Sequence, residues 1–124
     1  MKDPQGNEIE RIKLLISILG RGKGDKLISS LRSLGITFNM ASVGYWAVGH
    51  DLADYLGLTE LERDIVCSVV PESKAMRALS MIEYKFSLSE PGNGVAFCIP
   101  ISGVGGPVSL KYISGVEIDK EEPQ

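Results

Sequence analysis

The residues best suited to chemistry in this chain lie in SEPGNGVAFCIPI, where Gly92, Asn93 and Gly94 form a glycine loop that opens a strand. Such a loop presents backbone N–H groups to an anion. A second glycine-rich stretch, Gly20 to Gly24 (GRGKG), precedes a helical pattern and adds Arg21 and Lys23. N–H groups at a helix start plus two cations suit a phosphate, although the full spacing of a phosphate-binding P-loop is missing. Both segments also read as ordinary turns, since Pro-Gly-Asn-Gly is a common tight-turn sequence.

The third candidate is aromatic. Tyr45 and Trp46, with His50 nearby, form a cluster in a loop, where such residues serve either as binding anchors or as packing against a neighbouring subunit. His50, the only histidine, stands beside Asp51 and reads as a helix-start residue. No catalytic residue is assigned: there is no HExxH pattern and no nucleophile with a nearby base, and Glu60, Glu62 and Asp64 read as a solvated loop. Cys67 and Cys98 lie in strand-like segments without CxxC spacing, so they read as buried small hydrophobes rather than metal ligands.

The elements that position these residues follow from period. Ile12 to Leu19 reads as a strand, and Leu27, Ile28, Leu31 and Leu34 mark a helix with Asp25 as N-cap and Gly35 as left-handed C-cap. Ile36 to Val43 reads as the second strand, with Ile36, Phe38, Met40 and Ser42 on one face. A connector from Gly44 to Glu62 contains a short amphipathic piece, Asp51 to Leu56, capped by Asp51 and ended by Gly57. Asp64 to Val70 is the third strand, and Pro71 presets a helix whose buried stripe is Ala75, Met76, Leu79, Ile82 and Phe86. Val95 to Ser102 is the fourth strand, with Val95, Phe97, Ile99 and Ile101 on one face, and a further short strand is expected over Val108 to Ile113.

This order, βαβ, connector, βαβ, predicts an α+β fold: a ferredoxin-like double βαβ with an antiparallel four-stranded sheet and two helices on one face. Strands 2, 3 and 4 carry apolar residues on both faces, so the open face predicts a closed homo-oligomer. Residues 1–10 read as a polar arm, 11–115 as a single domain and 116–124 as an acidic tail.

Composition bounds the functions. A chain of 124 residues, 44% hydrophobic and 23% charged, reads as one soluble domain. A net charge of −3 without a basic face speaks against nucleic acid. No apolar run approaches the ~20 residues of a membrane span, and MKDPQGNEIE does not read as a secretory signal, which together predict a cytoplasmic protein without direct membrane insertion.

Over residues 11 to 106 the chain resembles the nitrogen regulatory P-II family, in particular its P-II-like branch. The resemblance rests on the strand-to-helix opening, SLGIT before strand 2, DIVCSVVPES from strand 3 into the next helix, and PGNGVAFCIPI. It implies a homotrimer of ferredoxin-like subunits that binds an adenine nucleotide in inter-subunit clefts and regulates a target transporter or enzyme through the loop after strand 2. It implies no catalysis, no metal and no resident cofactor. Thr37 matches the residue near the adenine, Val69 the strand passing the base, and Gly92, Asn93 and Gly94 the phosphate loop. Gly44 begins the effector loop. The family's lysine after the glycine loop is replaced here by Val95, which favours AMP or ADP, or a related small anion, over ATP. The loop after strand 2 is shorter than the family's, and Tyr45 lacks the context of its modified tyrosine. The alternatives are a ligand-independent oligomeric adaptor that uses the aromatic loop, and a small enzyme built on His50.

Overall fold

The computed structural model of the chain describes residues 10–57 and 61–106. The expected strand at 108–113, the acidic tail and residues 1–9 of the arm lie outside the described residues. Four strands, β1 (Ile12–Gly20), β2 (Phe38–Tyr45), β3 (Glu62–Pro71) and β4 (Gly94–Pro100), form one antiparallel sheet in the order β2-β3-β1-β4. Helices α1 (Gly24–Ser33) and α3 (Glu72–Lys85) provide the crossovers, and a shorter helix, α2 (His50–Tyr55), lies in the connector between β2 and β3. This is the expected ferredoxin-like arrangement.

Period 2 sorts the sheet into two faces. Leu15, Leu19, Val66 and Val70 turn toward α1 and α3, where Leu27, Leu31, Ala75, Ala78, Ile82 and Phe86 complete the core. Helix α1 ends in a Schellman motif: Gly35 adopts φ +81° and its N–H bonds Arg32 O at 2.9 Å, while the Ile36 N–H bonds Leu31 O at 3.0 Å. That turn carries Ile36 into the core beneath the helices, before β2 begins, so it does not share a face with Phe38 and Met40.

Three other local expectations are corrected. The N-cap of α1 is Lys23 and not Asp25, which sits in the first turn; the N-cap of α2 is Gly49 and not Asp51, because His50 already begins the helix. Met76 is 72% exposed, and Ala78 takes its place in the buried stripe of α3. Pro71 closes β3 in an extended conformation and serves as N-cap to α3, whose Ser73 N–H donates to the Glu10 carboxylate at 2.6 Å.

The second face of the sheet is an apolar grid. Cross-strand register aligns Phe38, Val69, Leu14 and Ile99 in one row and Met40, Cys67, Ile16 and Phe97 in the next. Ser42, Ile65, Ile18 and Val95 make a third. Among the described residues no helix covers these rows; Ile101 and Val104 pack on Ile12 and Val69 at one end, while Phe38, Met40, Val95, Phe97 and Ile99 are exposed. Cys67 lies on this face while Cys98 packs against the helical core, so the two thiols occupy opposite sides of the sheet. Burial pushes the Cys98 thiol up despite the nearby Lys13 ammonium.

Candidate functional site

Antiparallel pairing gathers the end of β1, the end of β2, the start of β3 and the start of β4 at one pole of the sheet. There Gly44, Arg63 and Gly20 form one cross-strand row, and Val43, Asp64, Leu19 and Gly94 the next. The glycine loop, the GRGKG turn and the connector therefore converge on Arg63 and Asp64. Neither residue stood out in the sequence. Asp64 in particular is not a solvated loop carboxylate: it is 8% exposed and belongs to β3.

Asp64 is the internal anion of the GRGKG turn. Its Oδ2 accepts the N–H groups of Gly22 and Gly24, each at 2.9 Å, and its Oδ1 accepts from the Arg21 guanidinium. Gly24 makes this possible, since a side chain there would press on the carboxylate at 3.1 Å. Burial alone would raise the carboxyl pKa, but the Gly24 N–H, the Arg21 guanidinium and the Gly22 N–H together hold it below the ordinary carboxylate range. Two N–H groups of the turn and Arg21 are thus committed to the protein itself, and Arg21 also lies 3.8 Å from Glu62. Lys23 has no acidic partner among the described residues.

Arg63, 6% exposed, organises the glycine loop, donating from Nη1 to the Gly92 carbonyl at 2.9 Å. Within the loop, the Asn93 amide donates to Ser87 O at 3.0 Å and the Asn93 N–H to Glu90 O at 3.3 Å. Asn93 therefore braces the loop from inside. Gly92 and Gly94 have φ of +85° and +131°, which glycine alone adopts without strain. A Cβ on Gly94 would collide with the Ile18 carbonyl oxygen of β1.

The connector folds back over this pole. Its Trp46 N–H bonds Leu61 O at 2.9 Å, extending the β2–β3 pairing, and Gly57 beyond α2 meets Pro91 and Gly92. Between them a groove of about 580 Å³ opens, with Trp46, Val48, Tyr55 and Leu56 on the connector side and the segment from Leu88 to Val95 on the other. Tyr45 points to solvent at 76% exposure.

Of the residues singled out from sequence, the structure brings Arg21, Lys23, Gly44, Trp46, Gly92, Asn93 and Gly94 to one pole. Thr37 and Val69 lie elsewhere. Val69 pairs with Phe38, directly after Thr37, and Gly44 lies six residue steps further along β2, a span of about 20 Å in extended chain. His50 opens α2 in the connector, exposed.

These features can be set against known proteins. The GlnK–ATP complex of B. subtilis, a P-II protein, aligns with a TM-score of 0.55 over 74% of this chain and 83% of that one, at 18% identity. The chain has the P-II fold. No protein-family model matches it, and no curated protein matches it by sequence. That fold accounts for the β2-β3-β1-β4 order of the sheet. Among the described residues no helix is long and apolar enough to cross a membrane, and no group of three or more His, Cys, Asp and Glu gathers to hold a metal ion.

Proposed function

We propose that the chain is a P-II-like signal-transduction protein that binds an adenine nucleotide between subunits and regulates a target transporter or enzyme through the connector after β2. What carries the reading is the meeting of the glycine loop, the end of β2 and the connector at one pole of a P-II fold. Ligand bound at the loop would bear directly on the connector through the Gly57–Gly92 contact. No constellation at the pole supports catalysis, and regulation by ligand-selected loop order needs none.

The position of Thr37 and Val69 supports an inter-subunit site. One chain offers its loop pole and its Thr37–Val69 end about 20 Å apart, too far for a single nucleotide to span both with its base and phosphates. A cyclic trimer packed through the open sheet face would set the loop pole of one subunit against the Thr37–Val69 end of the next. The protein would work in the cytoplasm, where free thiols such as Cys67 and Cys98 persist. Val95 alone argues for AMP or ADP, whereas the structural neighbour carries ATP.

Thermal unfolding with AMP, ADP and ATP tests this reading: a nucleotide at a hundredfold excess over Kd raises stability by about 2.7 kcal/mol. No shift with any of the three would remove it. The apolar groove beside Trp46 and Tyr55 favours one rival, an oligomeric adaptor that grips its partner without ligand. Partner binding that is indifferent to nucleotide and lost on shortening the connector would establish the adaptor instead.

A further inference from the structure

Strand β4 forms one edge of the sheet, because it pairs with β1 and with no other described strand. Its outward backbone groups can be located. The Ile101 N–H bonds Ile12 O at 3.2 Å, and antiparallel pairing turns successive residues alternately toward the partner strand and away from it. The N–H groups of Phe97 and Ile99 therefore face β1, whereas those of Ala96 and Cys98 face outward. No described residue accepts either outward N–H. Sheet edges are ordinarily guarded by charge, by a bulge or by proline. GVAFCIP has no charged residue and its register with β1 runs unbroken from Gly94 to Pro100, so only Pro100, at the far end, guards this one.

A trough lies beside that edge on the helix side of the sheet. Cavities of about 330 Å³ and about 400 Å³ share Ser80, Glu83 and Ser89, and so continue one another along α3. One end is apolar, where Met76 and Leu79 of α3 line it together with Val95 and Ala96 of β4. The other end is acidic: Glu83 and Glu90 line it, and neither is ion-paired among the described residues. An extended peptide added to such an edge takes main-chain bonds from the strand and sends alternate side chains into the groove.

We propose that the outer edge of β4 and the trough beside α3 dock an extended basic segment of a partner protein as a further strand, with the N–H groups of Ala96 and Cys98 donating to its carbonyls. An apolar side chain of the segment enters the end lined by Met76 and Ala96, and a lysine or arginine meets Glu83 and Glu90. Charge sets the chemistry of the partner. Two carboxylates without a cation of their own select a basic segment over an acidic one. The trough lies on the opposite side of the sheet from the open apolar face, and its occupation is independent of the nucleotide reading.

The test combines fluorescence anisotropy and amide hydrogen exchange on the full chain, using a short peptide of alternating valine and threonine with one central arginine, and the same peptide with glutamate in its place. The arginine peptide is expected to bind about tenfold more tightly than the glutamate peptide. It should slow exchange at Ala96 and Cys98 while leaving Phe97 and Ile99, already turned to β1, little changed. Glu83→Gln is expected to narrow the difference between the peptides, and Met76→Lys to weaken the arginine peptide; both side chains are exposed, so neither change threatens the fold. Binding of neither peptide, equal binding of both, or slowed exchange away from β4 overturns the docking surface. Protection of Ala96 and Cys98 before any peptide is added overturns it as well, since the edge would then already be paired with another copy of this chain or another segment of it.

Discussion

The carbonyl oxygen of Gly57, at the end of the connector helix, lies 2.5 Å from where a Cβ on Gly92 would stand. The connector and the glycine loop therefore meet glycine to backbone, at a distance that no other residue at 92 permits while both keep their places. Gly92→Ala must adopt a positive φ and push the connector away, and we expect a loss of roughly 1–3 kcal/mol in denaturant unfolding together with faster amide exchange across residues 50–57. Gly94→Ala is expected to cost at least as much but to loosen the β1–β4 pairing instead, because the obstruction there is the Ile18 carbonyl. Equal exchange at the connector in wild type and Gly92→Ala would show that the contact couples nothing.

Asp64 gives the molecule an acid limb. Its folded pKa is depressed, so the stability it supplies is present above the ordinary carboxylate range and is lost as pH falls through the lower folded value. Unfolding followed between about pH 6 and pH 2 should show the wild type losing stability that Asp64→Asn lacks throughout, the two curves converging at the acid end. At neutral pH the variant is expected to be less stable by about 1–3 kcal/mol, since an amide offers one acceptor oxygen to donors that now meet two. A constant gap down to the lowest pH would show that the charge of Asp64 is irrelevant to the turn.

The strands, both crossover helices and the Gly35 stop were legible because each rests on local information: period 2, period 3.6 and a glycine at a left-handed C-cap. The pole was only half legible. Its glycines announce themselves, but Asp64 sits in LERDIV, a charged run whose carboxylate is buried only because β3 pairs with β1 and lies against a turn 40 residues earlier. Arg63 escapes for the same reason, its acceptor being a carbonyl 29 residues away. Asn93 was visible as a residue, but the bond from its amide to the Ser87 carbonyl, six residues back, was not.

Ser87 is a stop signal that sequence spelling conceals. It ends α3 at φ +52°, with the Leu88 N–H returning to Glu83 O at 3.1 Å, as a glycine would normally do. A left-handed conformation costs a non-glycine residue about 1–2 kcal/mol, partly offset by the greater freedom glycine has when unfolded. Ser87→Gly should therefore raise the unfolding midpoint by a few degrees without altering the glycine loop that follows. A lower midpoint would mean that the serine hydroxyl contributes more than the strain removes.

The sheet face that no described helix covers makes the strongest demand on assembly. Three rows of apolar side chains cross it, interrupted only by Ser42, and Met40 and Phe97 flank Cys67 and Ile16 in the middle row at 63% and 39% exposure. Burial of such a face stabilises by about 25 cal/mol per Å² of apolar surface, and soluble monomers seldom leave one this continuous. We expect light scattering to give a mass three times that of the 13.4 kDa chain, and Phe97→Lys to give the single-chain mass, because a lysine in the middle row would be buried without a partner in the assembly. Met76→Lys, on the exposed side of α3, is the control and should leave the mass unchanged. Nucleotide stabilisation should vanish with Phe97→Lys and persist with Met76→Lys, since a ligand that needs the loop pole of one subunit and Thr37 and Val69 of the next cannot be held by one chain. A single-chain mass for the wild type, or full nucleotide binding by monomeric Phe97→Lys, would place the site within one subunit and leave the apolar face without this role.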